Sequence, residues 1–293
     1  MKASLRQHKV SDGIVVFDGH YDSPTDYSKG NVTATLVCDE KDALVFDSLW
    51  FPNDTKEMLG ATKSMGLSIA GLVNTHWHWD HTAGNQLFSS DTKRIVSHSL
   101  SPELMQKFLT WEDFNKNLKE EEKIKTVYPT ETIDESTRMS LSLWNREIEL
   151  IHTPGHTPDS IVAHLKDERM IIAGDAVMEL PFIWFGESKP LVDSLRKIQS
   201  IDSGGSIIQG HGDICPATKI DDDVKYIENV IRIVKEYLDS GKSAEESENA
   251  IKIEQCLSKE RIGMMPESWA HLHPMNVVRT YRELNEGGKS KTR

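Results

Sequence analysis

The segment THWHWDH at residues 75–81 constrains what this chain can fold into more than any other. It directly follows an apolar run that has the composition of a buried strand. If His76 and His78 continue the strand's period of two, their side chains project to the same side. Two imidazoles at this spacing can bind one metal ion, and Asp80 and His81 can supply ligands to a second cluster. The segment therefore predicts a metal site at the end of a strand.

Three further predicted strands end in side chains of the same type. His156 stands in a Pro- and Gly-rich turn after one strand, Asp175 ends another, and His211 follows a third. Each of these residues alone is more typical of a hydrogen-bonded loop. Together with residues 75–81, they describe four strands that deliver nitrogen and oxygen ligands to the rim of a sheet.

Composition narrows the class of protein. The 293 residues include 12 His, with Lys+Arg 34 against Asp+Glu 46, a net charge of −12. This acidic balance argues against nucleic-acid or membrane partners, which favour clustered Lys and Arg. Three widely spaced Cys without a CxxC pair argue against a disulfide framework and favour a reducing compartment. Neither a signal peptide nor a membrane segment is recognisable, so a cytoplasmic location is expected.

The order of predicted elements indicates mixed layers of helices and strands. Apolar runs bounded by polar turns predict strands through most of the first 210 residues. Ser101 followed by Pro102 predicts the start of a helix that continues to about residue 123. From Ile220 onward, apolar residues recur at helical spacing, so the C-terminal part is expected to be helical.

Four motifs together resemble the metallo-β-lactamase superfamily of hydrolases. They are THWHWDH at 75–81, TPGHTPDS at 153–160, AGDA at 173–176 and GHG at 210–212, in the order typical of that family. The resemblance implies an α+β fold, a four-layer αββα sandwich with metals in a cleft at one edge of its two sheets. We expect this domain to span residues 1–218, with residues 219–293 forming a helical C-terminal extension packed on it.

The resemblance also implies a ligand set for two divalent metal ions. The first ion is assigned to His76, His78 and His156, the second to Asp80, His81 and His211, and Asp175 is the bridge. Five His and two Asp without Cys favour zinc, and iron or manganese are acceptable.

Two such ions can lower the pKa of a shared water, so that a metal-bridging hydroxide attacks a carbonyl centre. One metal stabilises the oxyanion that develops, and Asp80 is a candidate for passing a proton to the leaving group. The expected function is a dinuclear metal-dependent hydrolase that cleaves an ester, lactone or thioester of a small molecule.

Asp175 selects a branch of the superfamily. Lactam-cleaving members generally have Cys, or no ligand, at this position, so the chain resembles the glyoxalase II-like and lactonase-like branch rather than a true β-lactamase. Three alternatives remain open. They are a mononuclear iron persulfide dioxygenase-like oxidoreductase, a phosphodiesterase or nuclease that the acidic charge disfavours, and a non-catalytic metal-binding protein that the intact ligand set disfavours.

The substrate pocket is less well specified by the sequence. The candidate residues are His20, Tyr21, Tyr128, Phe182 and Trp184. For Phe182 and Trp184, packing beneath the C-terminal helices is an equally good interpretation.

Other aromatic and His residues are predicted to lie away from the metal site and the substrate pocket. Trp77 and Trp79 alternate with the ligand His and are therefore predicted to pack in the core. His271 and His273 could bind a metal, but a surface position or a subunit contact is the favoured prediction, with a homodimer as an open alternative.

Overall fold

Two β-sheets pack face to face, and helices cover their outer faces. The computed structural model describes residues 4–22, 29–88, 92, 94–116, 119–120, 123–134, 139–143 and 146–289. The sandwich and its flanking helices confirm the α+β fold expected from the sequence.

The first sheet has seven strands in chain order, antiparallel over the first four and parallel over the rest. They are β1 (Ser4–Ser11), β2 (Ile14–Asp22), β3 (Lys29–Cys38), β4 (Asp42–Phe46), β5 (Ser68–Val73), β6 (Ile95–His98) and β7 (Glu131–Ile133). Parallel pairing places the carboxyl ends of β4 and β5 at the same edge of the sheet.

The second sheet has six strands, all antiparallel except for the parallel pair β11 and β12. They are β8 (Met139–Leu143), β9 (Arg146–His152), β10 (Ile161–Leu165), β11 (Met170–Gly174), β12 (Ser206–Gln209) and β13 (Cys215–Pro216). The strands β10 and β11 are buried along their whole length, which explains their nearly continuous apolar sequences.

The described helices differ widely in length. They are α1 (Pro52–Ser64), α2 (Trp79–Thr82), α3 (Asn85–Phe88), α4 (Ser101–Phe108), α5 (Glu112–Asn115), α6 (Ser188–Ile201), α7 (Lys219–Asp239), α8 (Ala244–Ala250), α9 (Lys259–Met264) and α10 (Leu272–Lys289), with 3-10 turns at Ile253–Gln255 and Glu267–Trp269. Among the described helices, none has the length and apolar character needed to cross a bilayer.

Three hydrophobic clusters separate the four layers. The central cluster joins the inner faces of both sheets, for example Phe46 and Val73 with Ile148 and Ile172. A second cluster packs the first sheet against α1 and α3. The third packs the second sheet against α6, α7 and α10. Each sheet is therefore buried on both faces, which is the four-layer arrangement.

Hydrogen bonds tie the two sheets together at one edge. The Thr33 N–H on β3 donates to the Gly210 carbonyl beyond β12 (2.9 Å), and the Thr33 hydroxyl donates to the Gln209 carbonyl (2.6 Å). The Ile161 N–H on β10 donates to the carbonyl of Thr75, which follows β5 (2.8 Å). These bonds fix the distance between the strand ends that carry the predicted ligands.

The helix predicted from residue 101 to about 123 is wrong in its length. Helix α4 ends at Phe108, because Leu109 adopts an extended conformation and Trp111 packs in a separate small cluster with Ile124. The Trp111 indole also donates a hydrogen bond to the Thr126 hydroxyl (2.8 Å). Tertiary packing of Trp111 has therefore overridden the local helical pattern.

The C-terminal helices pack on the sandwich through a buried polar contact. The Asn276 side chain on α10 accepts a hydrogen bond from the Ile183 N–H (3.1 Å) and donates to the carbonyl of Pro181 (2.6 Å) and the hydroxyl of Tyr226 (3.1 Å). Residues 181–183 follow β11, so α10 holds the loop beyond that strand. A domain boundary at residue 218 remains a prediction.

We expect Asn276→Ala to lower the free energy of unfolding by about 2–3 kcal/mol, because it leaves a buried N–H and a buried carbonyl without partners. Asn249→Ala is the matched control, since exposed Asn249 donates only to the Glu245 carbonyl in its own helix. It should change stability by less than about 0.5 kcal/mol. Urea denaturation of both variants tests this, and equal effects would contradict it.

Candidate metal centre

Two groups of buried His and Asp side chains face each other at the edge of the sandwich where hydrogen bonds join the two sheets. The first comprises His76, His78, His156 and Asp175, and the second comprises Asp80, His81 and His211. His76 and His78 lie in the loop after β5, and Asp80 and His81 lie on the single turn of α2. His156, Asp175 and His211 follow β9, β11 and β12, as the strand-end pattern predicts.

In the first group, three imidazole nitrogens converge. His78 Nδ1 lies 3.0 Å from His76 Nε2 and 3.0 Å from His156 Nε2. For a tetrahedral ion with bonds of about 2.0–2.1 Å, ligand nitrogens stand roughly 3.3 Å apart. The three nitrogens therefore have the spacing that one small cation requires.

Asp175 lies between the two groups. Its Oδ2 is 3.3 Å from His156 Nε2 and 3.2 Å from His211 Nε2, and its Oδ1 is 3.2 Å from His81 Nε2. Asp80 Oδ2 lies 3.2 Å from His211 Nε2 on the far side. One carboxylate thus faces ligand-type nitrogens of both groups, which is the position a bridging ligand occupies.

Two residues behind the cluster orient its imidazoles. The Asp47 carboxylate accepts hydrogen bonds from His81 Nδ1 (2.8 Å) and from the N–H and hydroxyl of Thr75 (both 2.7 Å). Because that hydroxyl donates to Asp47, it can accept from His76 Nδ1 at 3.1 Å. His76 and His81 therefore both carry the proton on Nδ1 and turn Nε2 toward the cluster.

Backbone carbonyls fix two more rings in the same way. His156 Nδ1 donates to the Phe182 carbonyl (2.8 Å), and His211 Nδ1 donates to the Asn31 carbonyl. A carbonyl can only accept, so the Nε2 of each neutral ring faces inward as a lone pair. Four of the five imidazoles are thus held in the tautomer that suits metal binding through Nε2.

The electrostatics of the cluster favour a cation. Burial lowers the pKa of His76 and of His78 well below the ordinary value, and neighbouring imidazoles add to this shift. Burial alone raises the pKa of Asp175, but the imidazoles of His211 and His81 hold it well below its usual range. Burial alone would lower the pKa of His81, but the carboxylates of Asp175, Asp80 and Asp47 hold it well above its ordinary value. A bound metal ion would replace the proton on His81, because an imidazole that ligates a metal is neutral.

Two buried atoms at the centre have no hydrogen-bond partner. They are His81 Nε2 and Asp175 Oδ1, which face each other at 3.2 Å. A buried polar atom without a partner is costly, by about 1–3 kcal/mol. A cation bound between the two groups would satisfy both atoms, so the side chains present fit a pair of divalent ions.

Glycine at 210 is required by the close approach of the strand ends. A Cβ atom there would stand 2.0 Å from Asp175 Oδ1. Only glycine allows the backbone before His211 to pass this close to the carboxylate. In the GHG motif, Gly210 is therefore required for steric reasons, and His211 supplies the predicted metal ligand.

A cavity of about 340 Å³ opens onto the cluster. Phe182 and Trp184 line it, as the sequence suggests. Trp79 packs partly buried against a small hydrophobic cluster, but it also lines the cavity, so the prediction that it lies away from the site is wrong. Trp77 is buried as expected. The chain leaves β5 at Val73 and turns into α2, which breaks the alternation on which the prediction for Trp79 rested.

The other pocket candidates have different outcomes. The side chain of Tyr128 is 44% exposed and is not among the described residues that line the cavity. His20 and Tyr21 lie on β2, and their side chains fall outside the described part of the chain.

His271 and His273 differ in burial: His271 is half-buried, whereas His273 is fully buried, so the predicted surface position is wrong for His273. His271 lines the cavity, and His273 is buried, with Nδ1 2.9 Å from the Tyr226 hydroxyl. Asp47 is not among the residues predicted from the sequence, although a buried strand that ends in a carboxylate is the same signal that identified Asp175.

Comparison with known proteins identifies a protein family and several relatives that this chain matches. Residues 27–211, more than half of the chain, match the model of the metallo-beta-lactamase superfamily. The beta-lactamase-like protein 2 homolog of Caenorhabditis elegans is 28% identical over 242 residues, covering 78% of this chain and 73% of that protein.

Two further proteins show how far the likeness extends. The hydroxyacylglutathione hydrolase of Mesorhizobium japonicum is 29% identical over 157 residues, so the match spans about half of its length (52%) and 53% of this chain. The solved metallo-beta-lactamase from Pontibacter korlensis is 17% identical with a TM-score of 0.65, covering 77% of this chain and all of that one. This structural likeness concerns the fold alone.

We expect Asp47→Asn to weaken metal binding at the second group by about 10–100-fold. The new amide NH₂ group would face the Nδ1–H of His81 and would force the proton onto Nε2. Asn tolerates the left-handed backbone of residue 47 (φ 63°), so the substitution leaves the turn intact.

Exposed Asp12, which is bonded only to Lys9 through its side chain, provides the control variant Asp12→Asn. Zinc titration against a competing chelator measures both affinities. An Asp47→Asn variant with wild-type affinity at both sites would contradict the role given to Asp47.

Proposed function

Because this chain belongs to the metallo-beta-lactamase superfamily, we propose that it is a dinuclear metal-dependent hydrolase that cleaves an ester, lactone or thioester of a small molecule. The strongest support is the position of Asp175 between two convergent ligand groups. A pair of cations can polarise a carbonyl oxygen and generate a nucleophile from water, which are the two requirements of acyl hydrolysis.

We assign His76, His78 and His156 to one ion, and Asp80, His81 and His211 to the other, with Asp175 shared. When bound, two divalent cations supply a water-derived nucleophile near neutral pH and polarise the carbonyl oxygen of the substrate. A set of nitrogen and oxygen donors without sulfur suits zinc, and it also accepts iron or manganese.

Asp80 is assigned the proton transfer. It lines the cavity, and its Oδ2 lies beside His211 Nε2. From this position its carboxylate can accept the proton of the attacking water and deliver it to the departing oxygen or sulfur. The C–O or C–S bond breaks, the water oxygen remains with the acyl group, and the proton leaves with the alcohol or thiol.

Two related activities are not proposed. The oxygen donors of Asp175 differ from the Cys ligand expected of a lactam-cleaving enzyme. For phosphodiesters, the described residues that line the cavity include no Lys or Arg to bind the phosphate. The relative named hydroxyacylglutathione hydrolase is consistent with an acyl substrate.

Metal analysis tests the proposal directly. Protein purified without added metal and then loaded with zinc should hold about two ions per chain and should lose hydrolysis on treatment with a chelator. We expect His78→Ala to hold fewer ions and to lose at least about 100-fold in kcat, whereas His8→Ala, on the exposed face of β1, should match wild type.

A substrate panel of thioesters, lactones, carboxylic esters and phosphodiesters identifies the reaction. Hydrolysis of one or more carboxylic acid derivatives is expected. Oxygen uptake with a persulfide by protein holding a single iron would instead establish the dioxygenase alternative. A protein that holds two ions and hydrolyses none of the panel would contradict the proposal.

A further inference from the structure

The wall of the cavity opposite the strand ends comes from the C-terminal helical segment. Trp269, on the 3-10 turn Glu267–Trp269, packs its ring against the imidazole of His211, with a centroid separation of 5.4 Å. His271, Leu272 and Met275 continue the same wall into α10. This segment lies beyond residues 27–211, the part of the chain that matches the superfamily model.

The remaining walls are aromatic. Trp79, Phe182, Trp184 and Phe185 surround the opening to the cluster. Phe185 also packs edge-on against His78, at 5.1 Å between ring centroids, which brings the apolar surface up to the metal ligands themselves. Aromatic surface of this kind stabilises rings and compact apolar groups.

Among the described residues that line the cavity, formal charge is confined to the ligand set. The guanidinium of Arg282 stands over the Trp184 ring, 5.3 Å from its centroid, but Arg282 is not one of the lining residues. Apart from the ligand carboxylates Asp80 and Asp175, the described lining residues carry no acidic side chain, and they include neither Lys nor Arg. A substrate carboxylate or phosphate at the aromatic wall would lose its hydration without gaining an opposite charge among these residues. The cavity therefore disfavours a charged group there.

Ser268 and His271 are the described polar residues of the C-terminal segment that line the cavity, and His271 can contact a ligand through a ring nitrogen. Its Nδ1 donates to the carbonyl of Ser268. Because the carbonyl can only accept, the proton of the neutral ring is on Nδ1, and Nε2 is a hydrogen-bond acceptor. An acceptor in an apolar wall selects a substrate with an N–H or O–H donor.

The size of the cavity limits what it can enclose. Its volume of about 340 Å³ lies near the lower end of the roughly 300–1,000 Å³ typical of ligand pockets. This is enough for one aromatic ring with a short chain. If the substrate is a thioester of a large thiol with several charges, the thiol portion would lie mostly outside the cavity.

We propose that the cavity binds an uncharged substrate whose acyl group is a single ring or a compact apolar chain, and that His271 contacts this substrate through a hydrogen bond. The inference rests on the proposed hydrolase function, and it adds the substrate class and one specificity-determining residue. This preference would distinguish the protein from hydrolases that recognise a charged alcohol or thiol portion of their substrates.

Three thioesters that share a benzoyl group test the charge preference. They are the thioesters of N-acetylcysteamine, which is uncharged, of glutathione and of coenzyme A. With zinc-loaded protein, we expect kcat/KM for the uncharged thioester to be at least about tenfold higher than for either charged one. Equal or higher values for a charged thioester would overturn the inference while leaving the hydrolase function intact.

Binding to metal-free protein separates the two proposals if no thioester is hydrolysed. N-methylbenzamide and benzoate have the same ring, and only benzoate is charged. Trp184 and Trp269 line the cavity, so quenching of tryptophan fluorescence reports occupancy. The amide should bind at least about tenfold more tightly than benzoate. Comparable binding, or none, would overturn the assignment of the cavity.

Substitution of His271 tests its contact with substrate. His271→Phe keeps an aromatic ring and removes the acceptor, so KM for the uncharged thioester should rise about tenfold with kcat within about twofold, as expected for loss of uniform binding. His271→Gln restores an acceptor and should recover most of the loss. Met264→Ala, at an exposed position (68%) in the preceding helix, should match wild type.

Two outcomes would contradict the role of His271. One is an unchanged KM in His271→Phe, and the other is a fall in kcat at constant KM. If His271→Phe does not fold, as judged by circular dichroism, His271→Gln and His271→Asn decide the question. Asn carries its amide closer to the backbone, so it should leave KM raised where Gln does not.

Discussion

The burial of seven ligand-type side chains at one edge of the sandwich is the constraint on which the rest of the structure depends. Five imidazoles and two carboxylates are withdrawn from water within a few ångströms of one another. Burying so many polar atoms is costly in free energy. The cost is offset if surrounding residues form hydrogen bonds to the outer nitrogens of the rings and a bound cation satisfies the lone pairs that face inward. Asp47, Thr75 and the carbonyls of Phe182 and Asn31 hold the rings from behind. The inter-sheet hydrogen bonds of Thr33 and Ile161 keep the strand ends at the distance this requires.

The C-terminal helices belong to this arrangement. Asn276 holds the loop that contains Phe182, and the Phe182 carbonyl orients His156. Trp269 meanwhile packs on His211. The same helical segment therefore supports ligands of both groups and forms one wall of the cavity. A substitution in α10 can thus affect metal binding without contacting the metal ligands.

Much of the site was predictable because its signal is local. A buried strand that ends in His or Asp can be recognised from a few residues, and His156, Asp175 and His211 were found in this way. Asp47 carries the same signal, but its role as a support depends on the distance to His81, which sequence spacing does not reveal. Trp79 was misplaced because the strand period was extended past Val73, where the chain turns into a helix. His271 reaches the cavity only through the long-range packing of α10.

The central claim is that the two groups bind two ions that share Asp175. A crystal structure of zinc-loaded protein with anomalous diffraction data at the zinc edge tests it most directly. Two anomalous peaks should appear, one within bonding distance of His76, His78 and His156, the other within bonding distance of Asp80, His81 and His211, and both beside the Asp175 carboxylate. A single peak at full zinc loading, or peaks bound elsewhere, would contradict the claim.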